Sequence, residues 1–156
     1  MTQPLTVGAK APPFTLPRDG GGEISLTDFH GSNLVLYFYP KADTTGCTRE
    51  AKEFSGLRDK FTKARTAILG VSADPVKALD KFKAKYDLAI ALASDPTHKM
   101  LETYAVWGEK SMYGRTYLGV FRTTFLIDAT GRIARIWPKV KVDGHAEEVL
   151  AAAKSL

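Results

Sequence analysis

The sequence holds a single cysteine among 156 residues, and that scarcity excludes more than any other feature of its composition. One thiol cannot close an intrachain disulfide, cannot form a Cys-x-x-Cys redox pair and falls short of every cysteine-rich zinc site. The three histidines, His30, His98 and His145, are scattered without metal-ligand spacing, so neither a metal nor a cofactor is expected. No motif joins them to Cys47 as a cysteine-hydrolase dyad, and each reads as a surface or capping histidine. Charge of one sign is not concentrated either. The chain has 22 basic and 17 acidic residues, a net charge of +5, and its densest basic stretch places Lys77, Lys81 and Lys85 around Asp80 at helical spacing. That is the solvated face of a helix. With no reading motif and no arginine stripe with interleaved aromatics, nucleic acid is not an expected partner. Long apolar runs are also missing. The longest, Leu34 to Tyr39, is far too short to span a bilayer, and the first 30 residues contain none of signal-peptide length, so a soluble, cytoplasmic protein is expected.

What remains is an ordinary globular composition, 44% hydrophobic and 25% charged, without repeats or linkers. A chain of this length buries roughly 68–70% of its unfolded surface, enough for one domain over residues 1–156 without a staple. Phe14 to Leu16 and Glu23 to Ser25 flank the turn Arg18-Asp19-Gly20-Gly21-Gly22, which predicts an N-terminal hairpin. The glycine run lacks the Gly-Lys-Ser/Thr ending of a phosphate loop. Asn33 to Tyr39 is a continuous apolar run, the pattern of a central strand covered on both faces, and Pro40 ends it. Cys47, Ala51, Phe54, Leu57 and Phe61 then recur at helical spacing and predict one helix from about Thr45 to Ala64.

Ala67 to Ser72 reads as the next buried strand, with Asp74-Pro75 as N-cap and first-turn proline of a helix carrying Leu79, Phe82 and Tyr86. Leu88 to Ala93 is a weaker strand, followed by Asp95-Pro96 and a short helix. Trp107 to Gly119 reads as an aromatic loop. Arg122 to Asp128 and Arg132 to Trp137 form a hairpin about Ala129-Thr130-Gly131, and a last helix starts near Asp143-Gly144. The order predicts a mixed central sheet, parallel where crossovers build it and antiparallel at the hairpin, flanked by helices. Thioredoxin-like folds have this arrangement, as do other α/β sandwiches.

Cys47 falls in the first turn of the helix that follows the central strand, where free N–H groups and positive potential favour an anion. Free cysteines are commonly buried as small hydrophobes, and Cys47 is on the apolar face by periodicity. A reactive cysteine must be a thiolate. At the ordinary thiol pKa near 8.5, roughly 3% is ionised at pH 7, and bringing the value to about 6 takes roughly 3.4 kcal/mol. A helix terminus contributes about 0.3–2 kcal/mol, so a cation is needed. An arginine at a strand start is usually an exposed charge. The hairpin topology nevertheless sends Arg122 to the end of the sheet where the central strand ends, toward Cys47. Arg49 and Lys41 are nearer in sequence but less predictably aimed.

Other cysteine chemistries fail on spacing: a tyrosine-phosphatase loop needs Cys-x5-Arg, and the sixth residue after Cys47 is Glu53. Pro40-Lys41-Ala42-Asp43-Thr44-Thr45-Gly46-Cys47-Thr48, by contrast, is similar to the Pro-x-x-x-Thr/Ser-x-x-Cys motif of the peroxiredoxins. Arg122 to Asp128 resembles their arginine-containing strand. YFYPKADTTGCT, the segment Val106 to Gly114 (VWGEKSMYG) and FLID followed by Gly131 resemble the bacterioferritin comigratory protein group, also called PrxQ. The resemblance covers nearly the whole chain and implies a thioredoxin-like fold.

It also implies a thiol-dependent peroxidase acting on hydrogen peroxide and organic hydroperoxides. Cys47 attacks one peroxide oxygen and becomes a sulfenic acid. Thr44 and Arg122 hold the thiolate and the peroxide oxygens, backbone N–H groups complete the pocket, and Pro40 shields it. Members often carry a resolving cysteine where this chain has Lys52 or Lys83. A one-cysteine cycle is therefore expected, with thioredoxin, glutaredoxin or a small thiol as external reductant. The alternative is a peroxide sensor or chaperone-like protein that uses Cys47 oxidation as a signal. A monomer is expected, with a dimer through the aromatic segment around Trp107, Met112, Tyr113 and Tyr117 as the alternative.

Overall fold

The computed structural model describes residues 4–156. The N-terminal hairpin pairs β1 (Thr15–Pro17) with β2 (Glu23–Ser25), and a 3₁₀ turn over Leu26–Phe29 leads into β3 (Asn33–Phe38). Then come α1 (Thr45–Gly56), α2 (Arg58–Lys63), β4 (Thr66–Ser72), α3 (Val76–Tyr86), β5 (Ala91–Ser94) and α4 (Lys99–Thr103). The chain finishes with β6 (Trp107–Met112), β7 (Arg115–Val120), β8 (Thr123–Ile127), β9 (Ile133–Trp137) and α5 (His145–Lys154).

Five strands make the central sheet in the order β5-β4-β3-β8-β9. β3, β4 and β5 are parallel because helices connect them, whereas β8 runs antiparallel to both β3 and β9. As the apolar run requires, β3 is buried on both faces, and its alternation divides the core. Val35, Tyr37 and Tyr39 face Phe54, Phe61, Leu79, Phe82 and Val149 from the helices α1, α2, α3 and α5. Leu34, Leu36 and Phe38 face Leu101, Tyr104, Phe125 and the hairpin residues Phe14, Leu16 and Ile24.

Several boundaries differ from the sequence reading. The helix over 45–64 is two helices, because Gly56 ends α1 and Leu57 leaves helical geometry at φ −100° and ψ 4°. Phe61 keeps its place in the core across the break, so the apolar period does not register it. Trp107 to Gly119 is a β-hairpin, β6 with β7, about the two-residue turn Tyr113-Gly114, both with positive φ. Asn-Gly or Asp-Gly would have signalled that turn, and the strands show no alternating burial, with Val120 their one buried residue.

The two Asp-Pro caps are also used differently. Pro75, not Asp74, is the N-cap of α3, and α4 starts at Lys99, with Asp95 accepting the Leu101 N–H at 2.9 Å. The N-terminal turn is more than punctuation. Its three glycines all have positive φ, which L side chains resist, and they let Asp19 turn into the protein. Buried there, Asp19 accepts the Leu92 N–H at 2.9 Å and pairs with Lys83 at 2.7 Å, locking the hairpin to β5 and α3.

Gly70 on β4 lies opposite Tyr37 on β3, and a Cβ there would come within 2.7 Å of the Tyr37 ring. That ring is fully buried against Phe54, with centroids 4.8 Å apart, so it cannot retreat. Gly70→Ala is expected to cost about 1–3 kcal/mol, read from the urea midpoint. An unchanged midpoint would show that the two strands are not packed this closely.

Candidate active site

The site begins where β3 stops. After Tyr39, the half-buried Pro40 ends the strand, and Lys41 to Thr44 cross the top of the sheet into α1. Two neighbours hold that crossing. Asp74 accepts the Ala42 N–H and the Ser72 hydroxyl, each at 2.8 Å, so the carboxylate read as a helix cap instead ties the loop to β4. Asp43, at φ 62°, receives the Lys85 ammonium at 2.9 Å and the Tyr86 hydroxyl at 2.5 Å from α3. Those partners hold the Asp43 carboxyl below its ordinary pKa, with the Tyr86 hydrogen bond the larger cause.

Thr44 has the extended backbone of an N-cap, at φ −93° and ψ 161°, and Thr45 starts the helix. Its side chain departs from the sequence reading. The Thr44 hydroxyl donates to the Lys41 carbonyl at 2.8 Å rather than capping α1 or facing the thiol. A hydroxyl three residues beyond a free loop carbonyl satisfies it locally, which competes with the cap.

Cys47 follows in the first turn and is only 1% exposed, packed in the core face of α1 with Ala51 and Phe54. Burial of this kind suits an inert thiol. What distinguishes Cys47 is Arg122, whose Nη2 donates to Sγ at 3.3 Å. The register explains the meeting: Phe38 pairs with Thr123, so Arg122, one residue before β8 begins, is level with the end of β3. Gly46 leaves the space, since a Cβ there would sit 3.1 Å from Nη2.

The sequence reading missed Glu50. One turn after Cys47 and 2% exposed, it accepts a hydrogen bond from Arg122 Nη1 at 2.6 Å through Oε1. One guanidinium thus bridges the thiol and the carboxylate, a use of its forked geometry that lysine cannot copy. The other oxygen, Oε2, is buried with no partner among the described residues. Burial pushes the Glu50 carboxyl up to about 7, with Arg122 pulling the other way. Helical spacing three residues after Cys47 was the available signal, but a glutamate near a helix start ordinarily reads as an exposed first-turn charge.

His145 also departs from the sequence reading. It is buried at the start of α5, bonded to the Thr124 hydroxyl at 2.8 Å and edge-on to Phe54 and Trp137. Burial, followed by the Arg122 charge, lowers its pKa to about 4 despite Glu148. His30 is exposed, and His98 stacks on Trp107 with ring centroids 4.0 Å apart. Arg49 turns away to Glu53 and Asp143. Among the described residues no cluster of three or more His, Cys, Asp or Glu could hold a metal ion, and no helix is long and apolar enough to cross a membrane.

At the entrance of α1, then, a distant arginine bridges the cysteine to a buried carboxylate of the same helix, above a thioredoxin-like sheet. The family model of the AhpC/TSA family matches residues 7–136, and the chain belongs to that family, the peroxiredoxins, which are thiol-dependent peroxidases. Peroxiredoxin Bcp of Escherichia coli (strain K12) is 43% identical over 147 residues, 94% of either chain. Among solved structures, the bacterioferritin comigratory protein of Xanthomonas campestris, described for its alkyl peroxide reduction activity, is 44% identical with a TM-score of 0.86. The match covers 91% of this chain and 90% of that one. A cysteine-to-serine variant of Xylella fastidiosa PrxQ is 38% identical with a TM-score of 0.92, covering 98% of each chain. The thioredoxin-like fold and the peroxidase class read from the sequence therefore hold.

The raised Glu50 pKa sets a sign for stability. The folded state binds this proton up to about pH 7, whereas an unfolded glutamate releases it near 4.3, so stability contributed by protonated Glu50 is lost as pH rises through that window. Glu50→Gln cannot ionise. Its urea midpoint relative to wild type is therefore expected to rise from pH 5 to pH 8, and a difference that stays level or falls would contradict the assignment.

Proposed function

We propose that Cys47 is the peroxidatic nucleophile of a one-cysteine cycle in which an external thiol completes the turnover. The reading is carried by one observation: the chain's only cysteine accepts an N–H from Arg122 at 3.3 Å. A fixed guanidinium and the N-terminal N–H groups of α1 supply positive charge where the thiolate and the leaving oxygen need it. In this reading Pro40, half-buried where the strand ends, shields the pocket from that side. Thr44 contributes first through its backbone, by setting the entrance of α1, and through its hydroxyl only once the Lys41 carbonyl releases it.

In the first step the Cys47 thiolate attacks one peroxide oxygen, the O–O bond breaks, and the other oxygen leaves and takes up a proton as water or an alcohol. Cys47 is left as a sulfenic acid, its sulfur oxidised by two electrons. An external thiol then attacks that sulfur, expels water and forms a mixed disulfide. A second thiol releases Cys47 and departs with the first as a disulfide. The alkyl peroxide activity named for the Xanthomonas protein supports organic hydroperoxides as substrates alongside hydrogen peroxide. Positions 52 and 83 are lysines, and Lys83 is engaged with Asp19, which supports an external rather than internal second thiol. A lone thiol kept reduced fits the cytoplasm, with residues 1–156 acting as one peroxiredoxin domain.

Mass spectrometry tests the cycle. One equivalent of hydroperoxide is expected to add one oxygen atom to Cys47. Thioredoxin, glutaredoxin or a small thiol should then restore the original mass over repeated turnovers, and Cys47→Ser should lose all activity while keeping its fold. Oxidation that no thiol reverses would identify a sensor, and an unmodified Cys47 would remove the mechanism.

A further inference from the structure

Attack on a peroxide needs the sulfur and both oxygens in line, so the loop that aims the first turn of α1 bears on the rate as much as the groups that touch the substrate. That loop spans Lys41 to Thr44, and its own bonds are local. The Thr44 hydroxyl donates to the Lys41 carbonyl, and the Thr48 N–H closes the first helical turn on the Thr44 carbonyl, each at 2.8 Å. Neither bond fixes the loop to the sheet. Two contacts from outside do so, and they are unequal.

The contact at Asp43 lies in solvent, where Lys85 and Tyr86 reach it from α3, and an exposed ion pair of this kind holds its geometry weakly. Asp74 is built differently. A single carboxylate oxygen, Oδ2, accepts both the Ala42 N–H of the loop and the Ser72 hydroxyl, each at 2.8 Å. Ser72 is fully buried at the end of β4, and its Oγ accepts the Asp74 N–H in turn at 3.3 Å. Ser94, buried at the end of β5, donates its hydroxyl to the Asp74 carbonyl at 2.5 Å, and the Asp95 N–H reaches the Ser72 carbonyl at 2.8 Å. Backbone and side chain of Asp74 are therefore both fixed by the ends of two adjacent strands. Buried hydroxyls whose partners are met stiffen what they hold.

The held residue is well placed to pass that stiffness on. Ala42 packs against the same core as Cys47, Ala51 and Phe54, and two residues later Thr44 sets the entrance of α1. The Tyr39 phenol lies between the two ends of this path: burial, and then the charges of Asp74, Cys47 and Glu50, favour its protonated form. We propose that Asp74 is a positioning residue of the peroxidase reaction, setting through Ala42 the height at which the first turn of α1 presents Cys47 to Arg122 and to the peroxide O–O bond. The inference rests on Cys47 being the peroxidatic nucleophile. Asp74 touches neither the sulfur nor the substrate; its part is to remove the freedom of the loop before the peroxide arrives.

Single-turnover oxidation of Cys47 by hydrogen peroxide, paired with its alkylation by iodoacetamide at the same pH, tests the assignment. Alkylation needs the thiolate but not the alignment on an O–O bond. Asp74→Ala is expected to slow oxidation roughly 10–100-fold, the scale of a small misplacement of reacting groups, with alkylation no slower than in wild type. Asp74→Asn can place its amide oxygen where Oδ2 lies and keep both hydrogen bonds, so its oxidation rate is expected within about threefold of wild type. Ser72→Ala, which frees the carboxylate but leaves its bond to Ala42, should fall between the two and decides the matter should Asp74→Ala fold poorly. Wild-type oxidation rates in Asp74→Ala, or in Ser72→Ala where that variant decides, overturn the proposal. So does Asp74→Asn as slow as Asp74→Ala, which would assign the effect to charge, or equal slowing of oxidation and alkylation, which would assign it to thiol ionisation. Wild-type Cys47 is oxidised first: no reaction would remove the peroxidase reading and this inference with it, whereas normal wild-type oxidation with Asp74→Ala unchanged removes only the positioning role.

Discussion

Everything distinctive about this molecule passes through the Arg122 guanidinium. It spans from Cys47 Sγ at 3.3 Å to Glu50 Oε1 at 2.6 Å and so joins two side chains on one helix to a strand far away in sequence. Without it, a buried cysteine on the apolar face of α1 would be one more small core residue. Removing a charge from water is costly, and Arg122 is only partly exposed. Its two hydrogen-bonded partners offset that cost, since the influence of Glu50 and Cys47 outweighs burial and holds its pKa above the ordinary arginine value.

The fold can be read as the apparatus that brings this bridge together. Antiparallel pairing of β8 with β3 carries Arg122 to the carboxyl end of the parallel strands, where helix entrances and ligand sites gather. Asp74 and Asp43 then fix the loop between Pro40 and Thr44 from β4 and α3, so the first turn of α1 meets Arg122 at a set height. Glycine at 46 permits the close approach. The Glu50 carboxyl, buried and half-satisfied, makes the arrangement sensitive to pH near neutrality.

Much of this is legible in the sequence alone. Asn33 to Tyr39 announced a doubly covered strand, the position of Cys47 followed from helical spacing, and strand order alone carried Arg122 toward it. What escaped was set by tertiary contact. Glu50 reads as a solvated first-turn acid until the sheet covers it, and His145 reads as a surface group until Thr124, Phe54 and Trp137 enclose it. The Thr44 hydroxyl turns to the Lys41 carbonyl three residues back, a local competition that residue type alone does not show. β6 and β7 carry no period because only Val120 at their base is buried, and Tyr113, 97% exposed at their turn, is not a residue that marks one. Periodicity reports burial, and where burial is absent or arises from distant segments it falls silent.

What matters most is whether Arg122 makes Cys47 reactive or merely packs beside it. The direct measurement is the second-order rate constant for Cys47 oxidation by hydroperoxide in Arg122→Met, followed in a single turnover beside wild type. The side chain keeps its bulk and loses charge and donors. A fall of roughly 10²–10³-fold with native circular dichroism is expected, the scale for removing an electrostatic donor from a reacting centre. A rate within a few-fold of wild type would contradict the account.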